Sequence, residues 1–324
     1  MKQLKKLFAI EQSPAKGLMA LEWLVLGYML VTLIIVLFAY TKEANPNAMI
    51  MGRLRIGVTT VALWLVYRMV PCRLTRLARV AFQFLMLGWW YGDTFEINRM
   101  FPNLDHLFAG LEQTIFGCQP ALFFSEEMPG KVFSELMCLG YASYFPLIMI
   151  TLLFYFCFRY KEFERSAFVI LASFFAFYVI FILLPVTGPQ YYYGAVGIEN
   201  IGKGIFPNLY DYFNLHQDRM VTPGWQGGFF YGLVEDMHDA GEHPTAAFPS
   251  SHVGVTMVLL LLAWHSKNRK LFFFELPFFV LMCFATVYIR AHYVIDAIAG
   301  LFVGAVFYVV FMYLSKNFHV PVES

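Results

Sequence analysis

Two histidines and one aspartate stand where apolar stretches of this chain begin. Phe248-Pro249-Ser250-Ser251-His252 leads into one apolar run, and Arg290-Ala291-His292-Tyr293-Val294-Ile295-Asp296 leads into another. Pro249 ends the preceding segment and Ser250 is a good N-cap, which predicts His252 in a first helical turn. The free N–H groups of such a turn, together with the helix dipole, favour an anion. A histidine there can donate to a phosphate oxygen or protonate a leaving group. His292 and Asp296 are four apart, so on a helix they share a face. A carboxylate bonded to one imidazole nitrogen fixes the tautomer and leaves the other nitrogen free to attack or to accept a proton. Arg290, just outside that helix, carries a planar fork suited to phosphate oxygens.

The elements that must position these groups are membrane spans. Of 324 residues 59% are hydrophobic and only 14% charged, against about 25% charged in soluble domains. The excess lies in blocks of about 20 residues, enough to cross a bilayer as a helix. The sequence predicts an all-α polytopic membrane protein with about eight spans, near 20–41, 54–71, 77–92, 133–158, 166–186, 250–266, 270–289 and 292–315. Residues 271–315 are almost continuously apolar, and a single helix of about 45 residues would far exceed the bilayer. A turn is therefore expected near Arg290, although no Gly or Pro marks it. The apolar run after the basic N-terminus is longer than a secretory leader's core and lacks a cleavage pattern, so it reads as a retained first span.

Basic residues gather in alternate connections: the N-terminus, Arg68 to Arg79, Arg159 to Arg165, and Lys267 to Lys270. The positive-inside rule makes these cytoplasmic, with both termini inside and the segments before His252 and His292 outside. Residues 104–116 read as an amphipathic helix in the outer interface, with Leu104, Leu107, Phe108, Leu111 and Ile115 on one face and Asp105 and Glu112 elsewhere. Residues 187–249 form a long outer connection. The net charge of +1, with no basic stripe, gives no reason to expect nucleic acid as a partner. The cysteines, Cys72, Cys118, Cys138, Cys157 and Cys283, are scattered without CxxC spacing and read as buried or idle thiols.

The block from Phe248 to His252, followed about forty residues later by His292-Tyr293-x-x-Asp296 and Gly300, resembles the second and third motifs of the type 2 phosphatidic acid phosphatase superfamily. The resemblance implies a six-helix core made of the last six spans. Residues 1–76 would then hold two added spans, 77–316 the catalytic core, and 317–324 a cytoplasmic tail. It further implies that His292 is the nucleophile, Asp296 orients it, His252 is the general acid, and Ser250 and Ser251 lie at the phosphate. Thr286 stands where the third motif has Arg, a place that Arg290 is expected to fill. Ser251 replaces a glycine of the second motif. The first motif, K-x6-RP, is absent; Pro185-Val186-Thr187-Gly188-Pro189-Gln190 stands there, and Lys203 and Arg219 are the remaining basic candidates for its role. These departures, with Phe116-Gly117-Cys118-Gln119-Pro120 and Tyr141-Ala142-Ser143-Tyr144-Phe145, are similar to the inositol phosphorylceramide synthase and sphingomyelin synthase branch.

The resulting expectation is a lipid phosphotransferase or phosphatase in the plasma (inner) membrane. It would act on a bilayer lipid at the extracytoplasmic face, through a phosphohistidine and without metal or cofactor. Two other classes compete. His238, Asp239, Glu242 and His243 invite a metalloenzyme reading, although no HExxH occurs. A transporter would use His292 and Asp296 as proton-coupling groups, but matched halves with broken helices are not evident.

Overall fold

The computed structural model describes residues 7–11, 14–42 and 45–317, so the expected tail at 317–324 lies, except for Asn317, outside the described residues. Among the described residues the only β-pairing is one isolated bridge, Ile10 with Cys72. In chain order the α-helices are α1 (Ala20–Phe38), α2 (Pro46–Met69), α3 (Arg73–Leu85), α4 (Leu87–Asn98), α5 (Asp105–Phe116), α6 (Pro120–Glu127), α7 (Lys131–Ala142), α8 (Tyr144–Phe158), α9 (Tyr160–Leu183), α10 (Pro189–Val196), α11 (Ile198–Gly202), α12 (Phe229–Asp239), α13 (Ser251–His265), α14 (Arg269–Tyr288) and α15 (Val294–Leu314).

Five of these, α1, α2, α9, α14 and α15, are long and apolar enough to cross a membrane. A sixth crossing results if α7 and α8, bent by 47° at Ser143, are one span. The expected span 77–92 is not one helix: it falls across α3 and α4, which part at Met86. The span beginning at Ser251 has 15 helical residues, about 22 Å at 1.5 Å each, short of the roughly 30 Å apolar layer. Helix α9 is the hub. Beyond its charged first two turns it is apolar all round, as a helix enclosed by others must be. Of its most apolar stretch 78% lies inside the protein, against 22–39% in the other four, and it packs against α1, α4, α8, α13 and α15.

The basic connections gather at one end of the bundle. Arg76 bridges Glu11 at 2.6 Å and Glu164 at 3.3 Å. Arg159 donates to the Ser266 carbonyl, and Arg165 to that of Met312 at 2.8 Å. The starts of α13 and α15, with their histidines, lie at the other end. The 187–249 connection is structured, containing α10, α11, a short 3-10 turn at Tyr212–Asn214, and α12 packed on α7.

Helices α13 and α15 meet backbone to backbone. A Cβ on Gly254 would lie 2.9 Å from the Gly300 carbonyl, one on Gly304 2.7 Å from Gly254 Cα, and one on Gly300 3.2 Å from Ser250 Cβ. Small residues allow this approach between spans, where dispersion and close packing drive association. Gly304→Val therefore forces the helices apart and is expected to cost about 1–3 kcal/mol or more. Gly27→Ala, whose added methyl meets nothing within 4 Å, is expected to be neutral or slightly stabilising. Thermal melting of the detergent-solubilised variants checks the pair, and equal melting points would show that the seam tolerates widening.

Candidate active site

Helix α14 ends at Tyr288, and Arg290 takes a left-handed conformation, φ 66°, rare for a residue with a side chain. This is the expected turn. Helix α15 then starts at Val294 with Tyr293 as N-cap. His292 thus precedes the helix instead of sharing a face with Asp296. The Asp296 carboxylate folds back to accept from Tyr293 N at 2.9 Å, closing the cap, and stays 3.7 Å from His292 Nδ1. The nearer partner of Nδ1 is the Ala247 carbonyl at 2.7 Å. A carbonyl only accepts, so Nδ1 carries the hydrogen and Nε2 the lone pair. The tautomer-fixing bond expected from Asp296 is therefore made by Ala247, because the side chain of Asp296 is engaged in the cap.

Ser250 caps α13 as expected, accepting from Val253 N at 3.4 Å. His252 follows in the first turn. Its Nδ1 faces His292 Nε2 at 3.4 Å, and its ring lies beside Tyr141 and Tyr144, with centroids 4.6 and 4.4 Å away. The two helix starts are tied by Ser250 N donating to the Asp296 carbonyl at 2.9 Å.

Both histidines open into a cavity of about 380 Å³. Ser251, Thr187, Gln190, His238 and Glu242 are among its polar lining, and Leu87, Gly88, Phe145 and Phe174 among its apolar lining. Ser250 is fully buried and does not line the cavity. Nor does Arg290, whose guanidinium turns to α6 and meets the Leu122 carbonyl at 3.3 Å and Ser125 and Glu126 at 3.4 Å. It therefore does not occupy the place expected for a phosphate clamp. Lys203 is exposed, 3.9 Å from Glu199. Arg219 is held by Glu235 at 2.8 Å and Asp239 at 3.2 Å. Among the described residues no group of three or more His, Cys, Asp or Glu is placed to hold a metal ion. Of the four residues behind that reading, His238 and Glu242 line the cavity, while His243 stacks on Phe95 at 4.8 Å.

Helix α5 faces opposite ways with its two sides. Leu107, Leu111 and Ile115 are at least half exposed, whereas Asp105 and Glu112 are fully buried. Asp105 accepts from Thr187 N (2.6 Å), Thr187 Oγ1 (2.9 Å), Asn103 Nδ2 (2.6 Å), Gly188 N (2.9 Å) and Tyr293 OH (3.0 Å). Glu112 accepts from Val294 N at 2.6 Å. The two carboxylates join the 187–190 segment to the start of α15. Gly188, φ 89°, sits where a Cβ would strike the Ala291 carbonyl, so this segment presses directly on the histidine turn.

Residues 112–310, well over half of the chain, match the model of the PAP2 superfamily. The chain belongs to that superfamily. No curated protein and no solved structure gives a significant match. Membership makes this helical membrane protein a phosphatase-type lipid enzyme. The PAP2 match takes in both histidines and the cavity wall from α7 onward, while Leu87, Gly88 and Tyr91 of α4 precede it.

The PAP2 cavity also takes residues from a charged cluster in the 187–249 connection. His238 Nε2 lies 3.0 Å from Glu242 Oε2, and its Nδ1 3.9 Å from Glu235 Oε1. Burial opposes the imidazolium, but Glu242, then Glu235, outweigh it and hold His238 up at about 9. Burial likewise opposes the carboxylates; His238, with Arg219 and Thr222 for Glu235 and Gln190 for Glu242, holds both below the usual range. The cluster's contribution to stability is therefore greatest between the ordinary values of 4.5 and 6.5. The His238 part is lost as pH rises from 6.5 through about 9, and the carboxylate part as pH falls below 4.5. His238→Asn is expected to melt below the parent at pH 6 and to converge with it above pH 9.5. A gap independent of pH would show that His238 contributes packing and no charge.

Proposed function

We propose that this chain is a lipid phosphotransferase working through a phosphohistidine on His292, with head-group transfer of the inositol phosphorylceramide synthase type. The observation that carries this reading is the pair His292 Nε2 and His252 Nδ1, 3.4 Å apart in the wall of a cavity that apolar side chains also line. The Ala247 bond leaves the Nε2 lone pair free to attack phosphorus. As the N–P bond forms, the bond to the leaving oxygen breaks, and His252 supplies the proton which that oxygen needs. In the second half a lipid hydroxyl attacks the phosphohistidine, the N–P bond breaks, and His252 takes the hydroxyl proton. Leu87, Gly88, Phe145 and Phe174 suit the chain of a bilayer lipid.

Eight crossings, with a core made of the last six, complete the reading. Charge bias puts both termini in the cytoplasm and the histidines at the outer face of the plasma (inner) membrane. The test is incubation of the purified protein with phosphatidic acid, phosphatidylinositol and ceramide in EDTA, with mass analysis of all products. Phosphoryl or head-group transfer to ceramide supports the transferase. Release of phosphate to water alone makes the chain a hydrolase. Activity lost in EDTA and restored by Zn²⁺ or Mg²⁺ overturns the metal-free mechanism. Orientation is read by labelling Leu215→Cys, an 84% exposed position, with an impermeant reagent in intact cells; labelling only after permeabilisation inverts the map.

A further inference from the structure

The cavity has an unusual charge for a phosphate site. Among the described residues no lysine or arginine lines it, and its one carboxylate is Glu242. That carboxylate is held from two sides: Gln190 Nε2 donates to Oε1 at 2.7 Å, and His238 stands 3.0 Å from Oε2. His238 is in turn packed edge-on against Tyr141, 5.7 Å away, the ring that also stacks on His252. The side chain of His238 is 1% exposed and that of Glu242 18%, so of the pair Glu242 is the more open to the cavity.

A fixed carboxylate repels a phosphate dianion and accepts hydrogen bonds from hydroxyl groups. We propose that Glu242, fixed by Gln190 and His238, is the specificity residue of a hydroxyl-binding subsite, and that it selects a polyhydroxyl group next to the phosphoryl group on His292. This rests on the phosphotransfer reading above. The neighbouring charges agree, since His238 keeps Glu242 ionised. Gln190 stands in the stretch that replaces the basic first motif, so the chain exchanges a phosphate-binding cation for an anchored hydroxyl acceptor. The hydroxyls belong either to the head group of the donor lipid or to a free polyol that receives the phosphoryl group.

Glu242→Gln keeps the size of the side chain and removes its charge. Two ratios are measured in wild type and variant. The first is turnover of phosphatidylinositol over phosphatidic acid, which reports hydroxyls on the donor. The second is phosphoryl transfer from phosphatidic acid to added myo-inositol over transfer to water, which reports hydroxyls on an acceptor. One of them is expected to fall about tenfold in E242Q, as when a site loses the partner of a substrate hydroxyl. Both ratios unchanged would overturn the proposal. Wild type no more active than His292→Ala on either lipid would instead overturn the phosphotransfer reading beneath it. If E242Q does not fold, Gln190→Leu, which frees one side of the carboxylate, is expected to lower the same ratio by a smaller factor; no change there also overturns the subsite.

Discussion

His292→Ala is expected to abolish turnover, by a factor on the order of 10⁴ or more, and to remove any acid-labile phosphoenzyme. In the proposed mechanism the side chain supplies the attacking atom, and the neighbouring imidazole of His252, 3.4 Å away, is packed beside Tyr141 and Tyr144 and does not take its place. His252→Ala is expected to behave differently. With a lipid substrate the departing alkoxide needs a proton, and the loss should be roughly 10²–10⁴-fold. With p-nitrophenyl phosphate, whose leaving group needs little acid help, it should be much smaller, while His292→Ala remains inactive on both. Asp296→Asn should fall between them, since it weakens the cap beneath His292 and leaves the nucleophile present. An active His292→Ala enzyme sinks the mechanism. Equal losses for His252→Ala on good and poor leaving groups remove only its role as acid.

Asp105→Ala is expected to give the largest loss of stability of any single substitution considered. Five donors from three parts of the chain converge on its carboxylate. Each buried donor left alone costs about 1–3 kcal/mol. The costs do not add fully, but a total above about 4 kcal/mol is expected, in the range reserved for broken buried networks. Asp105→Asn should be nearly as harmful, because its amide brings two hydrogens to a place already filled with donors. Both variants should also lose activity, since Thr187 and Gly188 hold Gln190 beside the cavity and Tyr293 follows His292. Melting in detergent decides the point: a shift of Asp105→Ala by less than about 2 °C, equivalent to under 1 kcal/mol in a chain of this size, would mean that water replaces the carboxylate.

Much of the site was legible because short-range rules govern it. The Ser250 cap, the first-turn position of His252 and the turn near Arg290 follow from residues adjacent in the chain, and the structure has all three. The sharing of a helical face by His292 and Asp296 does not hold, because α15 begins two residues later behind Tyr293, a residue with no sequence signature of a cap. The helical wheel of 104–116 set Asp105 and Glu112 apart from Leu107, Leu111 and Ile115, as in the structure, but grouped with those three Leu104 and Phe108, which pack against the core. It could not say that the carboxylates point into protein and Leu107, Leu111 and Ile115 outward, since a wheel carries no information about neighbours. Breaks at Met86 and Ser143 lie inside apolar runs with no Gly or Pro between the helices. His238, Glu242 and Gln190 reach the histidines through the folding of residues 187–249, and their local pattern supports a metal reading as readily as a cavity wall.

The glycine seam between α13 and α15 has a consequence for how this enzyme can change. The separation of its two histidines is set by main chain touching main chain at Gly254, Gly300 and Gly304, while most of the cavity wall comes from other helices and from the 187–249 connection. Alterations of the wall leave the reacting nitrogens where they are and alter what is admitted beside them. Alterations of the seam move the nitrogens themselves. Divergence toward new lipids is therefore open at the wall and closed at the seam, and a library built to retarget the enzyme should vary Leu87, Gln190, His238 and Glu242 while leaving the three glycines untouched.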